Sequence, residues 1–118
     1  MLFRSLNGVL TNAILLPKVP QHPGTEAWLR RDIAAEMKGA PLYAEMGAGL
    51  ANATRMDLTT TASIYQSLGA LQSLIFQGGN GGGGDVYEGA FRNGKLRYML
   101  TPPGPDGKVN NFFIQRSE

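Results

Sequence analysis

At 118 residues, with 42% apolar and 17% charged side chains, the chain has the size and composition of one globular domain rather than of a disordered segment. It contains no cysteine, which removes disulfides, thiol nucleophiles and thiolate metal sites together while leaving the compartment open. Eleven basic and nine acidic residues give a net charge of +2; only Arg92, Lys95 and Arg97 come near to forming a basic stripe, so nucleic acid is not an expected partner, and no apolar run reaches the roughly 20 residues of a membrane span.

Residues 1–24 read as an extended arm or linker. Arg4 followed by the apolar run Val9 to Leu16 is similar to a secretory signal in its positive start and apolar middle, but Asn12 interrupts the run and no clean cleavage site follows. The default compartment is therefore cytoplasmic, with export implied if this segment is a signal remnant. Pro17, Pro20 and Pro23 remove amide donors and bias their predecessors away from helix. The only histidine, His22, lies in this proline segment and reads as an exposed linker residue, since one histidine cannot make a metal site alone.

The domain proper is expected over residues 25–118. Thr25 opens a helix, its hydroxyl placed to cap free amides and Glu26 sitting at the positive end, and Gly39 supplies a left-handed stop after Lys38. Leu29, Ile33 and Met37 form the expected buried stripe, flanked by Trp28, with Arg30, Arg31 and Asp32 mostly outside. A second helical region spans residues 42–68, weakened by Gly47, Gly49 and Thr59-Thr60-Thr61, so a break near Asp57 is expected. Gly69 ends it, and Ala70 to Gln77 alternates as a first strand.

The glycine run from Gly78 to Gly84, interrupted by Asn80, invites comparison with a phosphate loop. It lacks the Lys-Ser/Thr pair and the following helix that phosphate binding needs, so it reads as a flexible hairpin loop before a strand. Three strands then follow, Asp85–Arg92, Lys95–Thr101 and Lys108–Gln115, stitched by the turn signals Asn93-Gly94 and Asp106-Gly107. A two-residue turn at Asn93-Gly94 sets Phe91 opposite Leu96, Gly89 opposite Tyr98 and Tyr87 opposite Leu100, which puts Tyr87, Phe91, Leu96, Tyr98 and Leu100 on one face. Pro102, Pro103 and Pro105 call for a bulge or a wide loop before the last strand. Phe112 and Ile114 are then expected to join Val86 and Met99 on the face away from the helices, an apolar patch suited to self-association.

Helices followed by a four-stranded meander predict an α+β fold, with N-terminal helices packed on one face of a curved antiparallel sheet. Thr25 to Lys38 (TEAWLRRDIAAEMK), Gly39-Ala40-Pro41-Leu42-Tyr43, Glu45-Met46, the segment Leu68 to Ser73, Asp85-Val86-Tyr87-Glu88, Phe91-Arg92-Asn93-Gly94 and Asp106-Gly107-Lys108-Val109 together resemble a small accessory domain found after the catalytic part of bacterial serine hydrolases of the β-lactamase and esterase type. The resemblance covers residues 23–116 and implies a cystatin-like, or nuclear transport factor 2-like, fold and a noncatalytic module. The Ser-x-x-Lys machinery of such hydrolases is missing from this chain, and Ser63, Ser67 and Ser73 have no histidine near them in sequence. Gly89 departs from the larger apolar residue the resemblance implies.

Two functional readings follow. In the leading one the chain is an accessory, small-ligand-binding or partner-binding domain, homodimeric or docked on a hydrolase domain, with an apolar ligand held among Trp28, Tyr43, Tyr65, Tyr87, Phe91 and Tyr98. The alternative is a small cofactor-independent acid–base enzyme, an isomerase, dehydratase or hydrolase, using Tyr87 or Tyr98 with Asp57 or Asp85 as the carboxylate in an apolar cavity. Neither reading calls for a metal or cofactor.

Overall fold

The computed structural model describes residues 2–4, 20–79 and 82–117. The run Val9 to Leu16 and Pro17 lie outside the described residues, as do Asn80 and Gly81 of the glycine loop. In order come a short strand β1 (Leu2–Arg4), helix α1 (Thr25–Met37), a single 3₁₀ turn (Tyr43–Glu45), helices α2 (Ala48–Met56) and α3 (Leu58–Leu68), and strands β2 (Leu71–Gly79), β3 (Asp85–Phe91), β4 (Gly94–Leu100) and β5 (Phe112–Ser117). The sheet runs β1-β5-β4-β3-β2, every pairing antiparallel. The expected four-stranded meander is present, an α+β fold with the helices packed on the sheet, and β1 adds a fifth strand beside β5.

Helix α1 ends as its sequence predicts. Gly39 takes φ 75°, the Gly39 amide donates to Glu36 O at 3.0 Å and the Ala40 amide to Ala35 O at 2.9 Å, the paired bonds of a Schellman cap. Its start differs. Gly24, at φ 83°, is the N-cap residue without a side-chain cap bond, and Thr25 is the first helical residue with its hydroxyl buried. The buried face is also rotated from the expected stripe: Trp28, Leu29, Asp32, Ile33 and Glu36 are buried, whereas Met37 is 38% exposed. Trp28 is thus a core residue, set edge-on to Phe112 with ring centroids 5.7 Å apart. Asp32 is tolerated inside because its Oδ1 accepts the Leu42 amide at 3.1 Å, tying down the chain after α1. The break at Asp57 is where the sequence places it, with the residue serving both as the end of α2 and the start of α3.

The β3–β4 hairpin is offset by two residues from the expected register. Phe91 pairs with Gly94, Gly89 with Leu96, Tyr87 with Tyr98 and Asp85 with Leu100, so the turn residues are Arg92-Asn93 rather than Asn93-Gly94. A shift of two preserves the faces, because side chains alternate with a period of two. Tyr87, Phe91, Leu96, Tyr98 and Leu100 accordingly lie together in the core under the helices. The tip explains the offset. Asn93 N–H donates to Leu68 O at 2.9 Å and its side-chain amide to Ser67 O at 3.1 Å, while Arg92 N–H reaches Ala70 O at 3.0 Å. The turn is docked on the carboxyl end of α3, whose last carbonyls need donors.

Two expectations about β5 are corrected. The strand begins at Phe112 rather than Lys108, because Val109 is drawn away to a parallel bridge with Met46, its amide bonded to Glu45 O and its carbonyl to the Gly47 amide, both at 2.9 Å. This leaves the wide loop 101–111 that the prolines demand. Phe112 and Ile114 then face the helices, not the outer side, through the pairs Phe112↔Leu100 and Ile114↔Tyr98. Phe113 takes the outer position with Val86 and Met99, and these three are only 2–5% exposed within a single chain. The open apolar patch expected for self-association is therefore already covered; among the described residues, Ile75 on β2 is the large apolar side chain that the sheet exposes, at 58%.

Candidate functional site

Of the residues expected to line a ligand cavity, Trp28, Tyr65, Tyr87, Phe91 and Tyr98 all enter one buried cluster. They fill space with each other. Tyr98 packs against Phe112 at 6.0 Å and Tyr65 against Phe91 at 5.8 Å, and the Tyr65 and Tyr98 hydroxyls share a buried hydrogen bond of 2.7 Å. Gly89 makes this possible: a Cβ there would come within 3.0 Å of Tyr98 Cε2 and 3.1 Å of Phe91 Cε1, so the missing side chain is room taken by two rings. The departure from the resemblance at Gly89 is therefore a seat for Tyr98 and Phe91. Tyr43 packs only against the outside of this cluster. It is half-buried at the 3₁₀ turn, with the Arg55 guanidinium 4.5 Å above its ring.

The carboxylates part company as well. Asp57 stands at the α2–α3 junction, where its Oδ1 accepts the Thr61 hydroxyl at 3.1 Å. Asp85 and Tyr87, two residues apart on β3 and so on one face, do converge: the Tyr87 hydroxyl lies 3.4 Å from Asp85 Oδ2. A residue read from sequence as an exposed linker completes this group. His22 Nδ1 is 2.6 Å from Asp85 Oδ1, and the His22 amide donates to Asp85 Oδ2 at 2.9 Å. Gln21 donates from Nε2 to the Tyr87 hydroxyl at 2.7 Å and to Glu26 Oε1 at 3.0 Å. Burial above all raises the Tyr87 phenol well beyond its ordinary range, the Gln21 bond opposing and the Asp85 carboxylate reinforcing the effect. Tyr87 is thus a neutral donor, not a base. On the solvent side, the Gln21 bond and then Arg30 hold the Glu26 carboxyl below its usual value.

A surface groove of about 430 Å³ opens on the other side of Tyr65, lined by Met37, Ala62, Tyr65, Gln66, Gly69 and Ala70. It is formed where the end of α1, one face of α3 and the corner into β2 meet. Of the expected ligand residues only Tyr65 reaches it. The helical period alone hints at part of this wall, since Ala62, Tyr65, Gln66 and Gly69 fall at the three- and four-residue spacing of one helix face. Nothing in the sequence marks its meeting with Met37.

Among the described residues no group of three metal-ligating side chains gathers, and no helix is long and apolar enough to cross a membrane. Comparison of the chain with protein-family models, with curated protein sequences and with solved structures finds no match.

Proposed function

We propose that this chain is a small-ligand-binding module of the accessory kind, and that the groove beside Tyr65 holds the ligand. The observation that carries this reading is the groove itself: about 430 Å³, walled by Met37, Ala62 and Ala70 with the Gln66 amide as a polar handle. That size and lining suit a flat, mostly apolar molecule carrying one hydrogen-bonding group. The interior tyrosines support binding over catalysis, because the Tyr98 hydroxyl is spent on Tyr65 and Asp57 sits with Thr61, away from both. In the setting that the sequence resemblance suggests, the module is attached to a serine-hydrolase domain. Self-association through the outer sheet face is not part of this proposal, since Val86, Met99 and Phe113 are covered within one chain.

Titration with the neutral fluorophore N-phenylnaphthylamine tests the groove. Saturable binding by the wild type is expected, with Ala62→Trp weakening it at least about tenfold by filling the site, a loss of about 1.4 kcal/mol. Ile75→Asp, on the sheet, leaves it unchanged. Equal binding by wild type and Ala62→Trp refutes the assignment.

A further inference from the structure

The second constellation is the one at the start of β3, and its chemistry differs from that of the groove. Asp85 is fully buried, yet three donors converge on its carboxylate: the His22 amide at 2.9 Å, the His22 ring at 2.6 Å and the Tyr87 hydroxyl at 3.4 Å. An ionised carboxylate can only accept hydrogen bonds, so His22 Nδ1 must carry a hydrogen toward it. In the neutral ring the lone pair is then fixed on Nε2. The His22 side chain is 38% exposed, so the ring is open to solvent while its Nδ1 edge is held. A buried carboxylate that fixes tautomer and orientation, behind an imidazole that reaches solvent, is the arrangement that prepares a histidine for proton transfer.

We infer that His22 is a general base, with Asp85 as the residue that orients it and Tyr87 and Gln21 as the residues that hold Asp85 and the short segment before α1 in place. The substrate class is set by the surroundings. Of the charged side chains beside the ring, the Arg30 guanidinium is already paired with Glu26 at 3.1 Å and Asp85 adds a carboxylate, so the surroundings favour an uncharged substrate. Gly78 and Gly79 pair with Val86 and Asp85 and present no side chains, and Phe76 lies edge-on to Tyr87 at 5.5 Å. A small uncharged acyl ester is the substrate class inferred. In the step, Nε2 takes a proton from water as the water oxygen bonds to the acyl carbon. The bond to the leaving alcohol then breaks and Nε2 returns the proton to the departing oxygen. The products are an acid and an alcohol, and the ring ends neutral.

The probe is p-nitrophenyl acetate, followed by nitrophenolate release. His22→Gln, which keeps an amide donor near Asp85 but has no base, and Asp85→Asn, which upsets the tautomer, are each expected to slow release by about 100-fold or more. Free imidazole should restore His22→Ala, whose vacated space borders solvent, but not Asp85→Asn. Thermal melts establish that each variant is folded. A measurement on the wild type needs no variant: His22 is the only histidine, so diethyl pyrocarbonate should abolish release in step with its modification, and hydroxylamine should restore it. A folded Asp85→Asn that keeps the wild-type rate would mean an ordinary surface histidine and overturn the inference, as would turnover that survives complete modification. The groove and this cluster share no residue, so the fluorophore titration and the release assay test the two proposals separately.

Discussion

Gly89→Ala is the most direct probe of how the core is filled. Gly89 does not have a positive φ, so alanine is acceptable to the backbone, and the question is one of space alone. The new methyl would lie 3.0 Å from Tyr98 Cε2, 3.1 Å from Phe91 Cε1 and 3.6 Å from Leu71 Cδ1. Two of these neighbours are planar rings, 0% and 4% exposed, with little freedom to retreat. Overpacking of this kind costs about 1–3 kcal/mol. Loss of glycine's freedom in the unfolded chain offsets about 0.4–1 kcal/mol of that. Mid-range values, about 2 less about 0.7, leave a destabilisation of about 1.3 kcal/mol, read as a fall in Tm of roughly 4–8 °C. Urea denaturation followed by Trp28 fluorescence should show a lower midpoint with an unchanged slope. Combining the variant with Phe91→Leu should give a coupling of about 0.5–1 kcal/mol, because the smaller side chain relieves the clash. A Gly89→Ala protein as stable as the wild type would show that the rings are not packed over Gly89, and the account of the filled interior would fail.

Other outcomes follow from the charges and the outer face. Folding keeps Tyr87 neutral above the range in which an unfolded tyrosine ionises, so its contribution is whole below about pH 10 and is lost as pH rises beyond it; Tyr87→Phe should flatten the alkaline decline in Tm. The Arg31 pair, bonded twice at 3.0 Å, holds the Glu45 carboxyl low, so its stabilisation is present above the ordinary carboxylate range and fades as pH falls through it. Both side chains are exposed, so Glu45→Gln should cost well under about 1 kcal/mol at neutral pH and nothing in acid, a difference visible in paired urea melts. Phe113→Asp should cost upward of about 3 kcal/mol, because it places a carboxylate in the buried outer cluster, while Ile75→Asp should fall within about 0.5 kcal/mol of wild type by the same assay.

Much of the fold is legible because its signals are local. The Gly39 stop and the break at Asp57 each follow from a residue and its immediate neighbours. The five-residue core face of the hairpin survives a two-residue error in register, since only an odd shift would turn it outward. Phe112 and Ile114 show the opposite case. Their face depends on how many residues the 101–111 loop consumes, and that is decided by the Val109–Met46 bridge, a contact between segments distant in sequence. The candidate sites are harder still to read. Asp85 and Tyr87 can be paired from strand alternation, but His22 reaches them across 63 residues, and its flanking Pro20 and Pro23 are the one hint that its backbone is fixed. The groove joins Met37 to α3 through tertiary packing that no periodicity records.

The docking of the Arg92-Asn93 turn on α3 carries a consequence for motion. Helix ends in water ordinarily open and close on their own, which makes their amides the first to exchange with solvent. Here the terminal carbonyls of Ser67 and Leu68 are held by the tip of a two-stranded ribbon whose other end is woven into the sheet. The last turn cannot unwind without prying the ribbon loose, so the Leu68 and Gly69 amides should exchange at the pace of the β3 and β4 amides. Gly69 and Ala70, which line the groove, inherit that steadiness directly, since the Arg92 amide of the same turn donates to Ala70 O at 3.0 Å.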